Sequence, residues 1–211
     1  MHPDTKMVDK REHILDIAEN LIAEFGYEGT STRLLAKEAG VNVAMISYYF
    51  GSKEKLFEAL VERRTSYTRE KLTNLVKEET DPWLKLNKVI DLYVERILSN
   101  PKFHRILCRE ISLLQRSAMT ENLNEILARN TRELIKIVKQ GIKEKAFREV
   151  DPEMTIATLF GTISQISMSG TLKHLMLNRK PTDTCVIDES FKLRLKDHLK
   201  DLMRAHLTPQ K

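Results

Sequence analysis

With 211 residues, 41% hydrophobic and 31% charged, the chain can bury a sizeable core and has neither the composition of a disordered protein nor that of a turn-rich sheet protein, since only 7 glycines and 6 prolines are present. A net charge of +5 points to an anionic partner, but residues 1–60 hold seven Lys/Arg against ten Asp/Glu, so phosphate binding there must rely on a few placed groups. No stretch approaches eighteen consecutive apolar residues and no signal-type pattern opens the chain, which leads to an expectation of a cytoplasmic protein without membrane association.

In chain order, residues 10–25 have the spacing of an amphipathic helix. Ile14, Ile17, Ala18, Leu21, Ile22 and Phe25 form its apolar stripe, Glu12, Asp16, Glu19 and Glu24 its polar face, and Gly26 its stop. Thr30 or Ser31 then caps a short helix using Leu34, Leu35 and Ala39, which Gly40 ends. Asn42 caps a two-turn helix from Val43 to Tyr49 with Ile46 and Phe50 turned inward. Ser52 caps a fourth helix that begins near Lys53 and extends towards Leu75. Pro82 opens a helix over 82–99, as proline favours a first helical position. Further helices are predicted over 102–116 (through Phe103, Ile106, Leu107, Ile111 and Leu114), 120–145, 153–177 and 188–207, giving an all-α chain of about nine helices.

The second and third helices, joined by "AGVN", have the pattern of a helix-turn-helix unit. Gly40 permits the positive φ that re-aims the chain, Val41 plugs the space beneath, and Asn42 starts the next helix. A short helix showing Asn42, Val43, Ala44, Ser47 and Tyr48 suits a major groove: small residues allow close approach, and hydroxyl, amide and methyl groups meet base edges. Tyr48 and Tyr49 can offer hydroxyls to phosphate, and Lys53 adds its charge at a helix N-terminus. Thr30 to Arg33 can do the same from the opposite groove wall, with Arg33 long enough to reach a base.

The stretch "ILDIAENLIAEFGYEGTSTRLLAKEAGVNVAMISYYFGSKEKLF" resembles the DNA-binding domain of the TetR (tetracycline-repressor) family of bacterial transcription regulators. The resemblance implies DNA contacts by Thr32 and Arg33 on the second helix, Val43, Ala44, Ser47, Tyr48 and Tyr49 on the third, and Lys53 on the fourth. The family often has a polar or basic residue where this chain has Val43, which implies methyl contact there instead of a base hydrogen bond. The expected organisation is a DNA-binding domain over 1–57 and a helical effector-binding and dimerisation domain over 58–211, the latter resembling the family in layout only.

One such unit reads too few base pairs, so a homodimer on a palindromic operator is expected. The helices 153–177 and 188–207 are the best dimer candidates, through Gly161, Ser164, Gly170, Phe191, Leu195, Leu199 and Leu202, the small residues allowing close helix approach. A small-molecule effector site could be lined by Trp83, Tyr93, Phe103, His104, Cys108, Phe160, Met168 and His174, although ordinary core packing explains each of these alone. Residues 101–148 hold eleven Lys/Arg against five Asp/Glu, and Arg105, Arg109 and Arg116 would suit an anionic effector; a solvated helix face accounts for the same charges. Cys108 and Cys185 match no zinc or redox spacing and are read as free thiols. His104 and Cys108 could form half a metal site, with no further ligand evident, so no metal and no cofactor are expected.

No phosphate loop, His-Glu-x-x-His or Gly-x-Ser-x-Gly motif occurs, so no enzyme is expected. The leading expectation is a ligand-responsive repressor. An activator or architectural DNA binder without an effector stands second, and a helical protein-interaction or enzymatic domain third.

Overall fold

The computed structural model describes residues 3–113, 118–178, 180 and 187–209. Leu114, Arg116 and Cys185 lie outside them. Ten helices are described: α1 (Pro3–Gly29), α2 (Thr32–Glu38), α3 (Val43–Phe50), α4 (Lys53–Glu78), α5 (Pro82–Ser99), α6 (Pro101–Leu113), α7 (Ala118–Lys143), α8 (Pro152–Met168), α9 (Gly170–Met176) and α10 (Glu189–Leu207). No strand occurs among the described residues.

The helices start where side chains satisfy their first free N–H groups. Ser31 Oγ accepts from Leu34 N at 3.1 Å, which selects Ser31 over Thr30 as the α2 cap, and Asn42 Oδ1 accepts from Ala44 N at 3.0 Å. Thr30 is buried, its hydroxyl donating to Gly26 O at 2.8 Å. Ser52 Oγ accepts from Lys55 N at 3.2 Å at the head of α4. Asp81 accepts from Trp83 N and Leu84 N just ahead of Pro82, and Asp151 accepts from Met154 N ahead of Pro152.

The segment expected as one helix over 153–177 is two. Ser169 takes an extended backbone (φ −80, ψ 109), its N–H still bonds back to Gln165 O, and its hydroxyl accepts from Leu172 N at 3.1 Å. One serine thus ends α8 and caps α9, an alternative to helix continuation that Ser side chains offer the backbone.

The chain falls into two compact units, 1–67 with 105–127, and 68–104 with 128–211. In the first, Ile14, Leu15, Ala18, Ile22, Leu35, Ile46, Phe50, Leu56, Phe57, Leu60 and Val61 form the core. Two assignments on α1 differ from expectation. Phe25 is 52% exposed while Tyr27 is buried, because Gly26 (φ 80) breaks the helical path and turns the following residue inward. Glu19, expected on the solvent face, is buried at 7% exposure. It accepts from Arg64 Nε at 2.8 Å and Arg64 NH2 at 2.6 Å, and Arg63 adds bonds to Glu12 and Asp16, so these charges tie α1 to α4.

In the second unit, α5 packs along α10 and against α8. Its core joins Leu86, Ile90, Val94, Leu134, Val138, Leu159, Ile163, Leu199 and Leu207 among others. Among the described residues, no helix is long and apolar enough to cross a membrane.

Candidate nucleic-acid interface

The α2–α3 turn closes through two reversed hydrogen bonds. Gly40 N donates to Lys37 O at 3.1 Å and Val41 N to Ala36 O at 2.9 Å. With Gly40 at φ 63, this is a Schellman stop, in which a left-handed residue lets the chain satisfy the last helical carbonyls and leave at a new angle. Asn42 follows at once as the α3 cap, so one helix is set against the other within three residues.

Helix α3 has only two turns. Ile46 and Phe50 are buried, at 1% and 8% exposure, and anchor it. The Arg11 guanidinium lies 5.2 Å from the Phe50 ring centroid, covering that anchor. Asn42, Val43, Ala44, Ser47 and Tyr48 are all exposed, with Val43 at 40% and Tyr48 at 72%. A helix this short has too little buried area to hold itself, so its position comes from the two anchors and its caps. Its free face presents methyl, hydroxyl and phenol groups without a charge, as close approach to base edges requires.

The flanking residues frame that face. Tyr49 is half-buried, its ring meeting Tyr48 edge-on at 5.3 Å and Phe50 at 6.3 Å. Thr32 is half-buried and Arg33 exposed at the start of α2. The Lys53 side chain is 19% exposed; its ammonium stands 4.2 Å from the Tyr27 ring centroid and 4.0 Å from Glu28 Oε2. Tyr27 is itself a buried residue, and burial, with the nearby Glu54 carboxylate, pushes its phenol well above the ordinary tyrosine range, so the ring under Lys53 stays neutral. A cation on an aromatic face gains about 0.5–2 kcal/mol, which directs the lysine stem without consuming its charge. All eight residues expected to contact DNA belong to one unit. Tyr27 was not among them. Its signal lay in "GYEG", where a large aromatic follows the glycine that breaks α1.

The residues expected around an effector do not form one group. In the second unit, His104 Nε2 lies 2.7 Å from Ser164 Oγ, and Tyr93 meets Phe160 edge-on at 4.5 Å with the Arg96 guanidinium 5.9 Å from its ring. Trp83, on the same helix as Tyr93 but about 15 Å along it, packs instead on Phe147 at 4.7 Å beneath Arg204 at 4.0 Å. Phe103 is buried, His174 and Cys108 are half-buried, and Met168 is 47% exposed. Cys108 belongs to the first unit with Arg105 and Arg109.

Of the residues expected at a dimer surface, Phe191, Leu195 and Leu199 are buried in the core of their own unit, because α10 turns that stripe towards α5. Leu202 is half-buried against the same core, and Ser164 faces His104. Gly161 and Gly170 are exposed. The outward apolar groups of these helices are Met154 at 64%, Met168 at 47%, Leu175 at 73%, Met176 at 37% and Leu193 at 59%.

Residues 14–60 match the family described as "Bacterial regulatory proteins, tetR family", and residues 79–168 match "Tetracyclin repressor-like, C-terminal domain". The nucleoid occlusion factor SlmA of Vibrio cholerae is 27% identical over 164 residues, covering 75% of this chain and 82% of that one. Among solved structures, the transcriptional regulator FadR of Bacillus subtilis in complex with stearoyl-CoA superposes with a TM-score of 0.73 at 23% identity, covering 91% of this chain and 96% of that one. AibR in complex with isovaleryl coenzyme A and operator DNA gives a TM-score of 0.70 at 18% identity, covering 92% and 97%. At these identities the two structures speak for the fold.

Proposed function

Since this chain belongs to the tetR family of bacterial regulatory proteins and is a DNA-binding transcriptional regulator, we propose that it works as a ligand-responsive repressor, a cytoplasmic homodimer on a palindromic operator. The observation that carries the reading is the outward face of α3. A two-turn helix leaves Val43, Ala44, Ser47 and Tyr48 in solvent while Ile46 and Phe50 hold it rigidly from behind. Small and hydrogen-bonding side chains on the free face of a helix anchored from behind suit close approach to base edges in a groove. In this reading Thr32, Arg33, Tyr49 and Lys53 contact the backbone at the groove walls, and the twofold axis spaces two such heads by helical turns of DNA.

Repression ends when an effector binds better to a conformation whose heads no longer match the operator, and the strength of induction equals that difference in affinity. We place the effector among the residues of the second unit around Tyr93, His104, Phe160 and Ser164, where apolar rings and hydrogen-bonding groups occur together. FadR and AibR were solved with CoA thioesters, so acyl-CoAs are the first class to screen. The protein acts by binding and performs no catalysis.

Selection of genomic fragments by the purified protein tests the DNA reading. A twofold-symmetric motif, bound with an affinity that falls steeply as salt rises, is the expected result. Fragments without symmetry, or binding indifferent to salt, would contradict it. Ser47→Ala should change base preference across a randomised half-site library. The similarity to SlmA favours a second reading, an architectural DNA binder without an effector. Many dispersed sites away from promoters, with no acyl-CoA shifting the melting temperature, would favour that one.

A further inference from the structure

Helix α6 supplies the first unit with two adjacent charged residues that act on α1 at the Gly26 break. Glu110 is 4% exposed, and its Oε1 accepts from Tyr27 N at 3.3 Å, across 83 positions of sequence. The same oxygen accepts from Arg109 Nε at 2.9 Å, while Arg109 NH2 donates to Ile22 O at 3.2 Å. The Arg109 guanidinium lies over Gly26, with NH2 3.1 Å from where a Cβ would stand. A break in a helix leaves backbone donors and carbonyls without their regular partners. Here one carboxylate takes the donor after the break and one guanidinium takes a carbonyl before it.

The residue so held is Tyr27, whose ring carries the Lys53 ammonium at 4.2 Å and packs on Phe57 at 5.3 Å. Lys53 has a competing partner, the 87% exposed Glu28 carboxylate at 4.0 Å. A lysine on a flexible stem between an aromatic face and an exposed carboxylate points where the ring directs it only if the ring is fixed. We infer that Glu110 is a positioning residue for DNA binding: through Tyr27 it fixes the platform from which Lys53 reaches a phosphate. This rests on the phosphate contact proposed above for Lys53. Arg109 supports the same platform by holding the carboxylate that faces the Tyr27 N–H, so its charge is engaged within the protein.

The test is the slope of log affinity against log salt, measured on the intact protein with its selected operator. Each phosphate contact contributes about one unit of slope, so a dimer should lose about two when Lys53 is removed. Lys53→Ala should therefore flatten the slope by about two, and Glu110→Ala should do nearly the same. Glu110→Gln, whose amide oxygen still accepts from Tyr27 N, should keep most of the wild-type slope. In the Lys53→Ala background, Glu110→Ala should change the slope no further. A loss of fold stability alone would not produce this pattern, because salt slope counts ion release and not folded fraction. A wild-type slope in Glu110→Ala, with the slope lowered in Lys53→Ala, would overturn the positioning role and leave the phosphate contact standing. An unchanged slope in Lys53→Ala would remove the phosphate contact and the inference with it. Should Glu110→Ala fail to fold, Glu110→Gln and Glu110→Met decide: the first keeps an acceptor for Tyr27 N and should keep the slope, the second removes it at similar volume and should lose it, and equal slopes would overturn the inference.

Discussion

His104 places its Nε2 2.7 Å from the Ser164 hydroxyl, and burial, with the Arg96 charge second, lowers its pKa to about 4 from an ordinary 6.5. The folded chain thus keeps this ring neutral over a range in which the unfolded chain protonates it. Between those two values the unfolded state binds more protons, so the contribution of this group to stability falls as pH drops from 6.5 towards 4 and is constant above 6.5. For a half-buried ring the loss is on the order of 1–2 kcal/mol after solvent screening. Urea unfolding at pH 7 and pH 5 should show it as a larger stability difference in the wild type than in His104→Asn. At the same scale, the outward face of α3 could be read from spacing, because Asn42, Val43, Ala44, Ser47 and Tyr48 fall opposite Ile46 and Phe50 within two turns of one helix. Glu19 and Phe25 could not be placed that way. Their exposure depends on Arg64 and on the turn at Gly26, neither of which enters a periodicity count.

Gly141 lies in the last turn of α7, and Phe147 folds back on it, donating its N–H to Gly141 O at 3.0 Å. A Cβ at position 141 would stand 2.2 Å from Phe147 Cδ2, and that ring is wedged against Trp83. Alanine favours a helix over glycine by about 1 kcal/mol, yet overpacking a held ring costs about 1–3 kcal/mol, so the clash outweighs the propensity. Gly141→Ala should lower the melting temperature, and the joint change Gly141→Ala with Phe147→Leu should recover part of the loss; equal or higher stability in Gly141→Ala alone would contradict this packing. The starts of α2, α3, α4 and α5 were legible, because a cap is a local contract between a Ser, Asn or Asp side chain and N–H groups two or three residues on. The break at Ser169 was not. Both helical continuation and a serine cap are locally available there, and packing selects between them.

For the molecule as a whole, the proposed homodimer needs a self-complementary surface, and the outward apolar groups of α8 and α10 are the candidate that a substitution can test. Met154 is exposed at 64% and Leu193 at 59%, with Gly161 leaving the α8 backbone open on the same side of the helix as Met154. Met154→Arg places two like charges across a twofold axis and should shift sedimentation towards monomer. Binding to the full palindrome should weaken at least tenfold, with little change on an isolated half-site. An unaltered dimer would put the partner surface elsewhere. The all-helical architecture, the turn at Gly40 and the anchoring of α3 by Ile46 and Phe50 were determined by the sequence itself, since a 3.6-residue period and a capping side chain act within a few positions. Only the tertiary structure decided that Phe191, Leu195 and Leu199 face their own core, and that Glu110 meets Tyr27 across 83 residues. Which of several apolar faces is buried, and which carboxylate reaches a freed N–H, depends on what another helix brings alongside, and that partner is distant along the chain.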